Sequence, residues 1–444
     1  MAPEKLSEVA EHLFWTYRYF LFWRMAPIRD VQPFLMITGT SPMKTHSTII
    51  GFAAFASLFA YPALAQTKIA SIFDLTGGLN IYGIQQNQAL QLAVEDINSK
   101  GGLLGQPVSV VSYDAQSEQS KFTQYANTAV MRDRVNAMFG GLTSSAREAI
   151  RPVVRKANIP YFYPSLYEGG ACDKQTFVTG SSASQQLSVL IDWAVKKYGK
   201  KIYIMAPDYN FGTISAHWIH EYAKELGAEV VGEDFLALTI TDYSPTIQKI
   251  QSTNPDFVVA LPVGANQTGF LEQFAAAGLK DKIGVVSTNY GSGNQQVVVS
   301  PEAGKGLIAS QGYFMAVDNP INAEFVKSWT AKYGNDTPII SEAVDAWNAV
   351  QLWAAAVRKA ETAESDAVIA ALESGLSLEA PNGTVRLEPG SHHLRQNIYI
   401  AEGDDKHGFN IIETFTDVAP SYENEKCDLI TNPTLAEHFS PEGK

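Results

Sequence analysis

The sequence predicts an α/β protein built from two doubly wound, Rossmann-like lobes. Short apolar strands alternate with amphipathic helices over roughly 240 residues, which implies parallel sheets with right-handed crossovers. A run of this length is more than one sheet accommodates comfortably, so two sheets are expected. The polar segment at residues 180–186 separates two copies of this rhythm and marks the expected boundary between the lobes.

In the first lobe, apolar runs define four strands and the helices between them. The predicted strands are residues 68–73, 108–113, 137–139 and 159–163. The first helix has apolar residues at helical spacing and ends at Gly101 and Gly102. A second helix is predicted at residues 118–132. A third is expected to begin at the capping box formed by Ser145 and Glu148.

The same rhythm restarts in the second lobe. The predicted helices are residues 187–198, 215–226, 245–252 and 270–277, and the predicted strands are residues 201–206, 229–235, 257–261 and 284–287. The chain is then helix-rich over residues 324–374 and reads as strands over residues 384–402 and 408–415. The tail from about residue 417 has no regular pattern and is predicted to be irregular.

A secretory signal peptide is predicted at residues 43–65. It has a positive start, an apolar stretch without charges and a small-x-small cleavage motif at residues 63–65. A membrane span needs about 20 apolar residues, and this run is shorter. Because a signal peptide normally begins a chain, we interpret Met43 as the true start and residues 1–42 as a mis-annotated extension. An amphipathic membrane anchor is the alternative for that extension.

The composition excludes several classes of partner. The chain has 444 residues, with 33 Lys and Arg against 46 Asp and Glu, and a formal net charge of −13. Non-specific binding to nucleic acid or to an anionic membrane needs a basic surface, so neither is expected. Two cysteines are too few for a disulfide scaffold or a four-cysteine zinc site.

Ligands of open parallel sheets bind beyond the carboxyl ends of the strands. The segments that follow the predicted strands carry aromatic, hydroxyl and amide side chains, and Asp208 is the one carboxylate among them. We therefore expect a small, polar, largely uncharged ligand between aromatic walls, with Tyr82, Thr288 and Asn289 among its contacts. The segments are residues 76–82, 141–145, 163–167, 207–211, 262–266 and 288–290.

Sequence signals for catalysis or a cofactor are weak. The chain has no HExxH, GxSxG or GxxxxGK(S/T) motif and no GxGxxG motif after a strand. His217 and His220 lie three apart on one predicted helix, but their mid-helix position favours solvated side chains over a metal site. No acid–base or nucleophile set converges at the strand ends, so neither an enzyme nor a bound metal or cofactor is predicted.

Three segments carry a family resemblance: DLTGGLNIYGIQQNQALQLAVEDINSKGGLLGQPV, FGGLTSSAREAIRPVVRKANIPYFYPSLYEGG and MAPDYNFG. Their most specific motifs are YPxxYEG from Tyr163 and DYxF from Asp208, together with TGxxxxQQ from Thr179. The chain from about residue 67 to residue 415 resembles type I periplasmic solute-binding proteins. Within that group it is most similar to the amide- and urea-binding branch of the branched-chain amino acid receptors.

The resemblance implies particular ligand contacts. The family's serine after a strand end corresponds to Ser144, and the residues around the proline of the YPxxYEG motif correspond to Tyr163 and Ser165. The aromatic residue that closes over the ligand from the opposite lobe corresponds to Phe211, with Tyr209 nearby. Two positions depart from the amide receptors, which tend to carry tyrosine in place of this phenylalanine and an aromatic residue at position 142.

The resemblance also bears on the ligand. Amino-acid receptors of the family hold the ligand ammonium with an acidic residue after a second-lobe strand, and the matching residues 287–290 include no carboxylate. A buried ammonium without an anion costs several kcal/mol, so urea or a short-chain amide is the predicted ligand. If Asp208 turned inward it would supply the anion, and a branched-chain or other amino acid is the alternative.

The resemblance implies two lobes joined by a three-stranded hinge that closes on the ligand, and delivery of that ligand to inner-membrane ABC permease subunits. The predicted first lobe comprises residues 66–184 and 316–382, and the second comprises residues 185–315 and 383–416, with a tail at residues 417–444. The signal peptide places the protein in the periplasm. A periplasmic ligand sensor on the same fold is the alternative to a transport receptor.

The two cysteines are predicted to form a disulfide. Cys172 and Cys427 both lie in loop-like sequence of an exported chain, and export provides an oxidising compartment. The tail needs something to hold it, because unpatterned termini otherwise fray. The alternatives are two separate thiols and a tail that docks through Tyr422 and Leu429 alone. The pairing requires Cα atoms within about 7 Å of each other.

Overall fold

The computed structural model describes residues 67–441, and the predicted extension and signal peptide lie outside them. The strands of the described chain are β1 (Lys68–Phe73), β2 (Ser109–Asp114), β3 (Ala137–Gly140), β4 (Tyr161–Tyr163), β5 (Ala171–Asp173), β6 (Thr176–Val178), β7 (Lys201–Pro207), β8 (Glu229–Leu236), β9 (Phe257–Ala260), β10 (Gly284–Ser287), β11 (Ile308–Gln311), β12 (Ser377–Ala380), β13 (Gly383–Leu387), β14 (Leu394–Gly403), β15 (Phe409–Val418) and β16 (Ala436–His438).

The helices within residues 67–441 lie between these strands along the chain. They are α1 (Asn80–Ser99), α2 (Gln119–Thr128) continued by a π-helical turn (Ala129–Asp133), α3 (Ser144–Ala157), α4 (Ala183–Tyr198), α5 (Asn210–Glu225), α6 (Ser244–Thr253), α7 (Ala265–Ala276), α8 (Gln295–Val298), α9 (Pro301–Gly304), α10 (Pro320–Tyr333), α11 (Ser341–Ala360), α12 (Ser365–Leu372) and α13 (Ser421–Lys426). Among residues 67–441, no helix combines the length and the apolar character that crossing a bilayer requires.

The first lobe is built on a parallel sheet of order β2-β1-β3-β4-β6. Alternate residues of its strands enter two separate cores, because successive side chains of a strand point to opposite faces. Phe139 and Phe162 pack on the side of α1 and α11, whereas Met138 and Tyr161 pack on the side of α2 and α3. Apolar strands covered on both faces are typical of parallel sheets.

The second lobe is built on a mixed sheet of order β12-β13-β14-β11-β10-β9-β7-β8, with β15 added on β14. Strands β7 to β11 are parallel, and β12 to β15 pair in antiparallel fashion. The prediction of two doubly wound α/β lobes is therefore confirmed. Strands β5, β6, β11, β12 and β16 are not among the strands expected from the sequence; each has only three or four residues, and such short runs show little periodicity.

Helices α10 to α12 return from the second sheet to the first lobe. Helix α11 packs along α1, and the Tyr333 hydroxyl of α10 donates to the Gln88 carbonyl at 3.1 Å. The β12–β13 ribbon then packs against α10 and α11 while it extends the edge of the second sheet. The chain therefore crosses between the lobes after β6, after β11 and around this ribbon.

The tail is more ordered than its sequence pattern suggests, so the prediction of an irregular tail is wrong. Helix α13 packs on α4, and the Tyr422 ring meets Trp218 of α5 edge-on at 4.7 Å. Strand β16 pairs with β5 in the first lobe. Short elements of this kind are stabilised by tertiary contacts rather than by their own pattern.

A disulfide joins Cys172 of β5 to Cys427 at the end of α13. The two Cα atoms are 5.8 Å apart, inside the range that a disulfide requires. Leu429 is buried beside the bridge, and the Arg151 guanidinium donates to the carbonyls of Cys172 at 3.3 Å and Glu437 at 2.8 Å. The tail is thus held by the bridge and by docking contacts together.

Candidate functional site

A small cavity lies between the carboxyl ends of the strands of the two lobes. Its walls combine aromatic rings, aliphatic side chains and a few polar groups, as small-molecule sites usually do. The first lobe contributes Tyr82, Leu142, Thr143, Ser144, Tyr163, Leu166 and Glu342, and the second lobe contributes Tyr209, Phe211, Val263, Asn289 and Ser292.

The amino end of α3 forms the polar part of the first-lobe wall. The Thr143 hydroxyl caps the helix by accepting from the Ala146 amide at 3.2 Å. The predicted cap at Ser145 is wrong, because Thr143 takes that role two residues earlier and the helix begins at Ser144. The amides of Ser144 and Ser145 fall in the first turn, where no helical acceptor is available. Of these two residues Ser144 lines the cavity, so the helix start at Ser144 forms one end of the cavity suited to a ligand carbonyl or carboxylate.

Ser144 is held by a buried ion pair behind the cavity wall. Its hydroxyl donates to Glu168 Oε2 at 2.5 Å, and Arg147 Nη2 donates to Glu168 Oε1 at 2.8 Å. Both side chains of the pair are fully buried, and the Arg147 guanidinium lies over the rings of Tyr163 and Tyr167. Since the Ser144 hydroxyl hydrogen is used by Glu168, the Ser144 oxygen faces a ligand only as an acceptor.

Two residues of the YPxxYEG motif occupy different places. The Tyr163 ring lines the cavity and its hydroxyl donates to the Leu142 carbonyl. Ser165 does not line the cavity. Its hydroxyl lies behind the wall, where it accepts from Gln86 Nε2 at 3.1 Å and donates to the Gly141 carbonyl at 3.5 Å. Ser165 therefore supports the strand ends, contrary to the expected ligand contact.

The second-lobe wall is mostly apolar. Helix α5 begins at Asn210, so Tyr209 and Phe211 stand at its amino end with ring centroids 6.1 Å apart. Asn289 lines the cavity, but its amide is already satisfied: Nδ2 donates to the Pro262 carbonyl at 2.8 Å and Oδ1 accepts from the Ser287 hydroxyl at 2.8 Å. Asn289 therefore contributes to the shape of this wall, while its hydrogen-bonding groups are already paired with other protein groups.

Thr288 is buried but does not line the cavity. Ser287 and Asn289 hydrogen-bond to each other and so lie on the same side of the chain. Thr288 stands between them, and alternation along an extended segment turns its side chain the other way. The expected ligand contact at Thr288 is therefore not supported by the geometry.

Contacts between the lobes close the edge of the cavity. The Tyr82 hydroxyl oxygen on α1 accepts from the Gly264 amide at 2.9 Å and from Gln295 Nε2 at 3.1 Å, both in the second lobe. The Ser292 hydroxyl, in the loop after β10, donates to Glu342 Oε1 on α11. These hydrogen bonds form only when the lobes lie close together.

Glu342 is the functional candidate that sequence reasoning missed. It lies in the first turn of α11, is 1 % exposed and lines the cavity. Burial raises the pKa of its carboxyl to about 7. Asp208, the carboxylate considered from the sequence, is exposed and does not line the cavity. The expectation of a site without an inward carboxylate is therefore wrong, because a helix rather than a strand end supplies one.

The described residues offer no metal centre. No group of three or more His, Cys, Asp or Glu side chains among residues 67–441 could hold a metal ion. His220 of the predicted histidine pair lies on α5 and its Nε2 is 3.0 Å from Glu233 Oε2.

The chain belongs to the periplasmic binding protein family, whose sequence profile matches residues 66–408. This is a family of solute-binding proteins. A curated relative, the Leu/Ile/Val-binding protein homolog 6 of Brucella melitensis biotype 1, is 24% identical over 373 residues, which are 82% of this chain and 95% of the relative.

Solved structures of similar fold carry solute-binding names as well. A solute-binding protein of an ABC transporter from Rhodopseudomonas palustris BisB5, in complex with 3,4-dihydroxybenzoic acid, superposes with a TM-score of 0.73 at 24% identity, covering 81% of this chain and 99% of that one. An amino acid ABC transporter substrate-binding protein from Pseudomonas fluorescens Pf-5 superposes with a TM-score of 0.74 at 20% identity, covering 82% and 99%. At these identities the likeness concerns the fold.

Proposed function

We propose that this protein is the exported receptor of an ABC importer and that it binds a small amphipathic solute between its lobes. The observation that carries the proposal is the cavity whose walls come from both lobes and combine aromatic rings with a few polar groups. A ligand in that position touches both walls only when the lobes are close, so it shifts the protein toward the closed state. The receptor then offers a ligand-dependent shape to the inner-membrane permease from the periplasm.

The walls favour a ligand with a polar end and a short apolar body. The rings of Tyr163, Tyr209 and Phe211 would bury an apolar group, while the first-turn amides of α3 would donate to a carbonyl or carboxylate. Urea has no apolar surface to bury. Glu342 removes the reason for excluding amino acids. Short-chain amides and amino acids with aliphatic side chains are therefore the proposed ligand classes.

The relatives support the same range of ligands. A Leu/Ile/Val-binding protein homolog, an amino acid receptor and a receptor in complex with a dihydroxybenzoic acid are all similar to this chain. Their named ligands share a polar end and an apolar body.

A thermal-shift screen of the mature protein tests this function. The panel contains urea, acetamide, longer aliphatic amides, branched-chain amino acids and benzoate. We expect stabilisation by at least one amphipathic compound, because a ligand that binds only the folded state raises its stability. Small-angle scattering with a saturating amount of that compound should show compaction. Absence of any stabilisation across the panel, or binding without compaction, would contradict the proposal.

A further inference from the structure

Glu342 has a buried carboxylate, and only one of its two oxygens has a hydrogen-bond partner among the described residues. Its Oε1 accepts from the Ser292 hydroxyl, whereas its Oε2 is buried without a hydrogen-bond partner among the described residues. A buried acceptor without a partner is costly, and a buried charge without a partner more so. Because Glu342 lines the cavity, a ligand is the group positioned to supply the missing donor.

No lysine, arginine or histidine among the described residues forms an ion pair or hydrogen bond with Glu342, and Arg147, which lies over the neighbouring Tyr163 ring, is paired with Glu168. The electrostatic neighbours of Glu342 are Tyr82 on α1, Tyr163 on β4 and Asp345 on its own helix. The loop after β10 contributes only the Ser292 hydroxyl. All of these groups are neutral or acidic, so the protein leaves a negative or proton-sharing site facing the cavity.

The two ends of the cavity are complementary to opposite kinds of ligand group, a hydrogen-bond acceptor at one end and a donor at the other. At the amino end of α3, Ser144 lines the cavity with its amide in the first turn of the helix, and its hydroxyl is committed to Glu168. That end suits an acceptor on the ligand. Glu342 on α11 suits a donor, and a charged donor most of all, since hydrogen bonds between charged groups are the strong ones.

We propose that Glu342 determines the specificity of this site by accepting a hydrogen bond from a protonated amine of the ligand. This inference rests on the proposed receptor function and selects within it: amine-bearing solutes with a carboxylate or amide carbonyl bind better than their amine-free analogues. The carboxylate of Glu342 belongs to a first-lobe helix, and its other oxygen is hydrogen-bonded to the second lobe. An ammonium that binds Glu342 keeps the carboxylate ionised, so it can accept from the ligand and from the Ser292 hydroxyl at the same time.

The proposal fixes the direction of proton linkage. Burial raises the pKa of Glu342 to about 7, so part of the population is protonated near neutral pH. An ammonium group favours the ionised form, so its binding releases a proton and its affinity increases from pH 6 to pH 8. A ligand that binds through a carboxylate at Glu342 would need the protonated form and would show the opposite slope.

Four related compounds separate the two ends of the ligand: L-leucine, L-leucinamide, 4-methylpentanoate and 4-methylpentanamide. The first two carry the amine and the last two lack it, while carboxylate and amide alternate. Calorimetry on the mature protein at pH 6, 7 and 8, in buffers of different ionisation enthalpy, gives affinities and proton counts. We expect the amine-bearing pair to bind on the order of 10–100-fold more tightly. Proton release is expected for L-leucine at all three pH values, and for L-leucinamide at pH 6 and 7 only, because an α-amine beside an amide titrates at about pH 8.

Variants locate this preference. Glu342→Gln should weaken L-leucine and L-leucinamide by about 10–100-fold, leave 4-methylpentanamide within about threefold and abolish the proton release. Asp345→Asn is the matched control, because Asp345 is a buried acid one turn along the same helix that does not line the cavity. It should keep the preference for amines. If Glu342→Gln does not fold, Ser292→Ala leaves the carboxylate in place and should weaken the amine-bearing pair by about three- to tenfold.

The outcomes are distinct. Tighter binding of the amine-free pair, or proton uptake with L-leucine, would overturn the role of Glu342 while leaving the receptor function intact. An unchanged preference in Glu342→Gln would overturn it as well. If the wild-type protein binds none of the four compounds and no member of the broader panel, the proposed receptor function and this inference are both contradicted.

Discussion

The two walls of the cavity are built from different chemistry. The first-lobe wall carries the helix amides of α3, the acid Glu342 and, behind it, the buried pair Arg147–Glu168. The second-lobe wall presents Tyr209, Phe211 and Val263. The amide of its one asparagine, Asn289, is hydrogen-bonded to other groups of the protein. The difference suggests a division of work: the first lobe recognises polar groups, and the second lobe covers the apolar body as it closes.

Removing the cation of the first-lobe pair should have the largest effect. Arg147→Met leaves Glu168 buried without its cation, and breaking a buried ion pair in this way costs roughly 3–5 kcal/mol. Chemical denaturation measures the loss. Arg155→Met is the control, because Arg155 is exposed on the same helix. Equal stability of the two variants would show that the pair does not hold this wall.

The second test concerns the stability of the ligand-free protein. Burial raises the pKa of Glu342 from its ordinary 4.5 to about 7. Between these values the folded protein keeps a proton that the unfolded chain has lost, so stability decreases as pH rises through this window. At pH 8 the ionised group costs roughly 3 kcal/mol.

Glu342→Gln should therefore be more stable than the wild type at pH 8 and similar to it at pH 4. Denaturant unfolding at both pH values checks this. Glu221→Gln, at an exposed position of α5, is the control and should change neither value. A Glu342→Gln protein that is no more stable at pH 8 would contradict the cost assigned to the buried carboxylate.

The third test removes the aromatic ring with which the second lobe covers the ligand. Phe211→Ala should lower the affinity for an aliphatic ligand by roughly 1.5–3 kcal/mol, because the ligand loses an apolar surface against which it is buried. Phe211→Tyr should retain most of the affinity. Calorimetry with L-leucine or 4-methylpentanamide, whichever binds, measures both. If both variants lost proton linkage rather than affinity, the division between the two walls would be wrong.

The smallest effect is expected at Ser144. Ser144→Ala removes one hydroxyl acceptor and should weaken ligand binding by about 0.5–1.5 kcal/mol. Stability should also fall, because the buried Glu168 Oε2 loses its donor while Arg147 still pairs with Oε1. Ser145→Ala, at the exposed neighbouring position, is the control. Unchanged calorimetric affinity in Ser144→Ala would count against a ligand contact there.

Strand-end reasoning found much of the cavity. It pointed to the segments that contain Ser144, Tyr163, Tyr209, Phe211 and Asn289, because parallel strands bring their carboxyl ends to one edge whatever the side chains are. The family resemblance then selected most of these residues within their segments. Strand-end reasoning could not separate side chains that face the cavity from those that face away, since this depends on local rotation of the chain. Ser165 and Thr288 were included for that reason and lie behind the walls.

The same reasoning could not find Glu342. Helix α11 enters the first lobe only after the chain has passed through the second, and its first turn reaches the cavity from outside both sets of strand ends. An acidic residue in the first turn of a helix is common because it suits the helix dipole. Nothing in the local sequence distinguishes Glu342 from such a residue, and its burial depends on the packing of two lobes.

The bridge between Cys172 and Cys427 also changes the covalent topology of the chain. It joins positions 255 residues apart, so the whole second lobe lies inside a covalent ring. The segment at residues 237–242, between β8 and α6, is mostly exposed and falls within that ring. A protease that cuts there would open the ring without releasing a fragment. The nicked protein would migrate as one band on a non-reducing gel and separate into two only after reduction.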